Sequence, residues 1–147
     1  MPRNTNTGKV AEQFLTPSLE RGGYSFQYQK RIDNGNLNKK HLYLDYYLKI
    51  NSIRIGVEIK WQQTSGTTEQ KIPYAIIQLL NLIKNDIIDK AYIVLGGLDF
   101  DDPVGKGGWT LRQYYFSGEL NNFINYKDKI NIVSPEQFTS LANDRGL

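Results

Sequence analysis

The sequence predicts an α/β (α+β) fold in which helices flank a central mixed β-sheet. Short segments of alternating or continuous apolar residues are typical of strands, and longer segments with helical periodicity lie between them. The resulting order is helix, three strands, helix, strand, helix, strand, helix. The chain has 147 residues without an internal repeat or a linker, so we expect a single domain over residues 1–147.

The first half of the chain supplies a helix and a three-stranded meander. Residues 8–21 carry an apolar stripe at helical spacing, which Pro17 should bend and Gly22-Gly23 should end. Alternating residues predict strands at 24–30, 41–50 and 53–61. We expect the last two strands to form a hairpin through the short Asn51-Ser52 connection.

The second half alternates between helices and short apolar strands. Pro73 suits the first turn of a helix that continues over residues 74–85, and this helix is apolar nearly all round, so we expect it to be buried. Residues 91–95 and 130–133 are typical of strands inside a sheet. Residues 99–108 form a connector, and 109–126 should be helical with Gly118 as a weak point. Ser134 should cap a final helix that ends near residue 142.

Composition excludes several kinds of site. The chain has no cysteine and one histidine, so disulfides, thiolate metal sites and sites with two imidazoles are excluded. A net charge of +3 permits an anionic partner without requiring one. We see neither a signal peptide nor an apolar stretch long enough to span a bilayer. We therefore expect a soluble, cytoplasmic protein with no membrane partner.

Three polar residues of the predicted hairpin can carry chemistry. Glu58 and Lys60 are two apart on one strand and share a face, and Asp45 on the neighbouring strand can converge with them. Two carboxylates a few ångströms apart suit magnesium, which also accepts water and phosphate oxygens. Lys60 could orient the attacking water or stabilise the transition state, and a role as general base stays open. The alternative is an exposed cross-strand ion pair, but Asp45 lies in an apolar, aromatic strand where a solvated acid is less expected.

The segment from Glu58 to Tyr74 makes the pattern more specific. It contains Glu-x-Lys, Ser-Gly-Thr, a second Glu-x-Lys and Pro-Tyr, and it resembles a run found in some restriction-type endonucleases of the PD-(D/E)XK nuclease superfamily. The resemblance covers roughly residues 8–95 and implies a restriction-endonuclease-like core, with Asp45 and Glu58 as catalytic metal ligands and Lys60 at the water. Leu44 stands where the family motif has proline, a position that varies widely.

The same resemblance implies accessory residues. Related nucleases often carry an assisting acid on the first helix, so Glu12 is a candidate third metal ligand and catalytic residue, with a solvated surface acid as the alternative. Gln62 continues the face of Glu58 and Lys60 and could contact water or DNA. The remaining candidate DNA contacts are basic or polar side chains, any of which could instead be merely solvated: Gln63, Ser65, Lys71, Lys39 and Lys40.

The leading functional hypothesis is a magnesium-dependent, site-specific, double-stranded DNA endonuclease of the restriction type, with manganese as a substitute metal. The near alternatives are a homing endonuclease of a mobile intron and a junction-resolvase or repair nuclease of the same fold. A non-catalytic DNA-binding module is the alternative from another class. Cleavage of both strands usually pairs two subunits, so we expect a homodimer or higher homo-oligomer. Its candidate pairing residues, some of which we expect in the core, are Trp109, Tyr114, Tyr115 and Phe116.

Overall fold

The computed structural model of the protein describes residue 9 and residues 11–62, 68–97 and 110–147. These residues contain a five-stranded sheet whose strands follow one another in chain order. The strands are β1 (Ser25–Ile32), β2 (Leu42–Ile50), β3 (Ile53–Trp61), β4 (Lys90–Gly96) and β5 (Ile130–Val133). The pairs β1–β2 and β2–β3 are antiparallel, whereas β3–β4 and β4–β5 are parallel. The predicted mixed sheet is therefore confirmed.

Helices surround this sheet in the predicted order. The α-helices are α1 (Thr16–Arg21), α2 (Ile72–Lys84), α3 (Arg112–Ser117) and α4 (Pro135–Asn143). A π-helical segment, Ala11–Leu15, precedes α1, and the winding changes just before Pro17, whose ring nitrogen cannot donate a helical hydrogen bond. Ser134 caps α4 in a reciprocal capping box with Gln137, as its position predicts.

The sheet separates two apolar cores. On the α2 face, α2 and α3 pack against strand residues such as Leu44 and Ile93. On the α4 face, α1, α4 and the π-helical segment pack against residues such as Tyr46 and Val57. Neighbouring residues of β4 enter opposite cores, as the alternation of a strand requires. Burying both faces explains why β4 is apolar along its whole length.

Strand β2 changes face in its middle. In β2, Leu44 packs in the core of the α2 face, but Tyr46, two residues later, packs in that of the α4 face. Residues two apart in a regular strand share a face, so the alternation breaks at Asp45. The β1–β2 register skips Gln29, which lies opposite Asp45 and has a φ of 54°. Such a φ is uncommon for a residue other than glycine and marks a local strain in β1.

Two sequence predictions about helices are wrong. Helix α2 is not buried all round, because Tyr74 and Ile77 are 52% and 40% exposed. In the described part of the predicted helix over residues 109–126, the short α3 and a 3-10 turn, Glu119–Asn122, stand in place of one long helix. Gly118, with a φ of 80°, ends α3 in the left-handed conformation that glycine adopts most readily. Within the described residues, no helix has the length and apolar character needed to cross a membrane.

Candidate active site

The ladder between β2 and β3 ends where Asp45 and Glu58 face each other. The last paired residues are Tyr46 and Val57. One position further, side chains replace the backbone bonds: the Ile59 N–H donates to Oδ2 of Asp45 at 2.7 Å, and the Asp45 N–H donates to Oε1 of Glu58 at 3.4 Å. The break in the alternation of β2 thus places two carboxylates between the same two strands.

Asp45 and Glu58 differ in how deeply their side chains are buried. Asp45 is only 2% exposed, and an ionised carboxylate at such a position needs hydrogen-bond donors or cations around it. The Ile59 amide is one such donor. The Glu58 side chain is 16% exposed and lies 3.9 Å from Nζ of Lys60, measured from its Oε2. Lys60 is on the same face of β3, as the strand period predicts. The structure therefore brings the three residues of the predicted cluster together.

A cavity opens directly beside this cluster, between β2 and α2. Its volume is about 360 Å³. Leu42 and Leu44 line it from β2, and Ala75 and Leu79 line it from α2. The polar part of its wall consists of Glu58, Lys60, Gln70, Lys71, Tyr74 and Gln78. The predicted cluster thus borders an apolar recess with two lysines at its edge.

Hydrogen bonds fix the wall of this cavity to the turn between β1 and β2. Gln78 on α2 donates to Oδ1 of Asn36 at 2.8 Å and accepts from the Leu37 N–H at 3.1 Å. It also donates to the Tyr74 hydroxyl at 3.3 Å. Because Gln78 is buried, these bonds satisfy its amide and hold α2 against the turn.

The predicted DNA contacts have different environments. Lys39 and Lys40 are exposed in the turn held by Gln78, and Lys71 is exposed at the cavity edge, so all three are accessible to an anionic partner. Gln62 is only 4% exposed, and its backbone N–H donates to the Gly96 carbonyl. It therefore lies beneath the surface. The predicted contacts Gln63 and Ser65, the connector at 99–108 and Trp109 lie outside the described residues.

Glu12 lies apart from the other acids of the predicted cluster. It is exposed on the π-helical segment, and its charge contributes to raising the pKa of Tyr46, a residue of the α4 face. Burial is the main cause of that pKa of about 12, so Tyr46 keeps its proton and donates to the Ala11 carbonyl at 3.0 Å. Among the described residues, no three acidic or histidine side chains gather as a metal site. The structure does not bring Glu12 to Asp45 and Glu58, and its catalytic role stays a prediction.

Sequence reasoning missed the role of Glu69. This glutamate lies in a 3-10 turn, Glu69–Lys71, and is 7% exposed. Its carboxylate accepts hydrogen bonds from the Thr110 N–H, from the Thr110 hydroxyl at 2.8 Å and from the Leu111 N–H at 2.6 Å. The Tyr115 hydroxyl donates to its carbonyl at 2.5 Å. Glu69 therefore fastens the start of α3 to the segment that leads into α2. A second Glu-x-Lys tripeptide was the visible signal, but it does not distinguish this role from a catalytic one.

Among the proposed pairing residues, Tyr115 belongs to the core. It is 4% exposed, and burial raises the pKa of its hydroxyl, with the charge of Glu69 as a smaller cause. Tyr114 and Phe116 pack against the same core and are partly buried.

Comparison with known proteins assigns the chain to a family. A family model described as a PD-(D/E)XK nuclease superfamily domain matches residues 3–145. The chain therefore belongs to the PD-(D/E)XK nuclease superfamily, as the resemblance implied, and members of this superfamily are nucleases. Members of this superfamily generally use divalent metals.

A solved structure has the same fold. It is a crystal structure described as a protein of unknown function, AF1548, with 12% sequence identity and a TM-score of 0.50. The match covers 89% of this chain and 58% of that chain, so this chain spans little more than half the length of that protein. The likeness concerns the fold alone. No curated protein matches the sequence significantly.

Proposed function

We propose that this protein is a magnesium-dependent endonuclease that hydrolyses phosphodiester bonds of double-stranded DNA. The observation that carries the proposal is the meeting of Asp45, Glu58 and Lys60 at the end of the β2–β3 ladder, in a chain of a nuclease superfamily. The proposed metal ligands are the two carboxylates, and Lys60 is the proposed catalytic cation. A restriction-type, site-specific activity remains the leading form of the proposal, with homing and junction-resolvase or repair activities as alternatives.

The donor set fits the proposed metal. Magnesium takes oxygen ligands, and one or two carboxylates are enough because water and substrate phosphate complete its coordination. Asp45 and Glu58 supply two such groups from facing strand positions, and the Ile59 amide holds the Asp45 carboxylate in place at 2.7 Å. When bound, the divalent cation would lower the pKa of the attacking water and neutralise charge that develops on the phosphate. Manganese is the expected substitute.

Other side chains of this chain would orient the water and bind the DNA. Lys60 is close enough to Glu58, at 3.9 Å, to position a water hydrogen-bonded to both, and its charge opposes the negative charge of the transition state. Lys39, Lys40 and Lys71 would bind the phosphate backbone beside the site. Gln63 and Ser65 stay in the proposal as DNA contacts. Gln62, which is 4% exposed, would have to become uncovered before it could contact DNA. Glu12 stays as an assisting acid that would have to approach the metal when DNA binds.

One such site cuts one strand, and cleavage of both strands at one place usually pairs two subunits. We therefore retain a two-fold homodimer in the proposal, with the DNA crossing both subunits. Because Tyr115 is buried in the core, pairing surfaces have to use other residues. Sedimentation of the protein with and without duplex DNA tests this point.

Plasmid cleavage tests the proposed function. We expect purified protein to convert supercoiled plasmid to nicked and linear DNA in magnesium or manganese, and to leave it intact in chelator. Asp45→Asn should remove this activity, because it weakens a metal ligand without changing the size of the buried side chain. The exposed Asp128→Asn variant is the matched control and should cleave normally. Equal cleavage by Asp45→Asn and wild type, or cleavage in chelator, would overturn the proposal.

A further inference from the structure

We propose that the cavity between β2 and α2 binds one unpaired nucleotide of the DNA substrate, with its base stacked on Tyr74. The inference rests on the proposed function and narrows its substrate class to DNA that carries an unpaired or extruded nucleotide beside the cleaved phosphate. Three properties of the cavity carry it: its size, its charged edge and the aromatic ring at its mouth.

The size of the cavity selects a single nucleotide. Its volume of about 360 Å³ is near the lower end of the range for small-molecule sites. This is room for one nucleotide and not for stacked base pairs. Leu42, Leu44, Ala75 and Leu79 form apolar walls. Such walls suit the flat, weakly polar faces of a base that has left the helical stack.

The edge of the cavity matches the charge of a nucleotide. Lys60 and Lys71 both line it, and each can pair with a phosphate oxygen. Glu58 lines the same edge, and its negative charge would repel a phosphate that lacked a metal between them. A nucleotide whose phosphate lies at this edge would place the phosphodiester bond next to the candidate metal ligands and its base in the recess.

Tyr74 has the properties of a base-stacking residue. Its side chain is 52% exposed although it lines the cavity, so its ring lies at the mouth. Gln78 donates to its hydroxyl at 3.3 Å, and the hydroxyl in turn contacts Oδ1 of Asn36 at 3.5 Å. These bonds orient the ring before any ligand arrives. A paired base inside a duplex has both faces covered by its neighbours, so away from duplex ends an exposed tyrosine stacks on a base that is unpaired or extruded.

Binding measurements test this inference. Fluorescence anisotropy would give the dissociation constants of two labelled duplexes of equal length, one perfectly paired and one with a single unpaired nucleotide, in calcium to occupy oxygen-ligand sites. We expect the wild type to prefer the unpaired nucleotide. Tyr74→Ala should weaken binding of that duplex by about 5- to 150-fold, which corresponds to the loss of one stacking contact. Binding of the paired duplex should change little.

Two further variants separate stacking from a structural role. Tyr74→Phe keeps the ring and should retain the preference, although it loses the contacts to Gln78 and Asn36. Ile77→Ala is the matched control, because Ile77 is 40% exposed on the same helix but does not line the cavity. It should bind both duplexes as the wild type does.

Three outcomes would overturn the inference. They are equal affinity of the wild type for the two duplexes, an unchanged preference in Tyr74→Ala, and an equal loss for both duplexes. The first needs no variant, so misfolding of Tyr74→Ala does not prevent the test. Metal-dependent plasmid cleavage without a preference would overturn this inference and leave the proposed nuclease. A preference without cleavage would overturn the nuclease and leave the binding site.

Discussion

The chain contains the same tripeptide pattern twice, in two different kinds of backbone. Glu58-Ile59-Lys60 lies in β3, and Glu69-Gln70-Lys71 forms a 3-10 turn before α2. In the first, the glutamate and the lysine share a face, and their charged atoms are 3.9 Å apart beside the cavity. In the second, Glu69 is 7% exposed and hydrogen-bonded to Thr110 and Leu111, whereas Lys71 is exposed.

The difference shows that backbone period decides what a Glu-x-Lys pattern can do. In a strand, residues two apart lie on one face, so the carboxylate and the lysine side chain come close together. In a 3-10 turn of about three residues per turn, the same spacing turns the side chains by about 240° and separates them. Only the strand copy can offer a carboxylate and a cation to one ligand. In the turn copy, the glutamate is buried and hydrogen-bonded to the start of α3, and the lysine is exposed.

We expect the largest difference between the two copies when each glutamate is replaced by glutamine. We expect Glu58→Gln to lower plasmid cleavage by at least about 100-fold, because it removes charge from a proposed metal ligand, with little change in melting temperature. Glu69→Gln should retain cleavage but lose about 1–3 kcal/mol of stability, since its amide cannot accept at both former oxygens. Paired assays of cleavage and thermal unfolding check this. A folded Glu69→Gln protein without activity would contradict the assignment of a purely structural role to Glu69.

The lysines of the two copies should differ in which kinetic quantity they change. Lys60→Met should lower the cleavage rate at saturating DNA by about 100-fold, because it removes a cation from the transition state. Lys71→Met should leave that rate nearly unchanged, weaken DNA binding and reduce the slope of log affinity against log salt by about 1. Single-turnover kinetics and binding at several salt concentrations distinguish the two. If Lys60→Met and Lys71→Met changed the cleavage rate and the DNA affinity in the same way, the two lysines would not have the different roles proposed for them.

The smallest effect is expected at Arg54, at the other end of β3, where a cation and acids meet outside the proposed site. Arg54 contacts both carboxylate oxygens of Asp89 at 3.1 and 3.0 Å. Hydrogen bonding from Arg54 lowers the pKa of Asp89 from its ordinary 3.8 to about 2. The stabilisation is therefore complete above pH 3.8 and is lost as the pH falls towards 2.

Asp89→Asn should consequently leave cleavage unchanged and cause a small loss of stability at neutral pH. The difference between the urea midpoints of wild type and variant should shrink between about pH 4 and pH 2. A difference that stays constant over this range would show that Asp89 acts through something other than its charge.

The parts of the fold that the sequence predicted well are those where one local rule dominates. Strict alternation located β3 at the residues observed, and a capping serine located the start of α4. The burial of α2 was predicted wrongly because an apolar composition does not show which residues the sheet covers. Tyr74 and Ile77 remain 52% and 40% exposed. The prediction of a long helix over 109–126 was wrong because Gly118 ends α3 in a left-handed conformation.

The site was predictable only in part. The strand period placed Glu58 beside Lys60, and the hairpin brought Asp45 opposite them. The break in alternation at Asp45 had no sequence signal, because Gln29, with its positive φ, is not a residue type that marks such a backbone. The role of Glu69 depends on partners more than 40 residues away, a distance that local patterns do not cover.

The bond from the Ile59 amide to the carboxylate of Asp45 gives this protein a built-in spectroscopic reporter. An amide proton that is bound to a carboxylate responds in its resonance frequency to any change in the charge of that carboxylate. Ile59 itself points into the apolar core of the α4 face, so DNA would not touch its side chain. Nuclear magnetic resonance of this one backbone nitrogen could therefore follow metal titration and protonation at Asp45 in the unaltered protein, without a label on any side chain of the site.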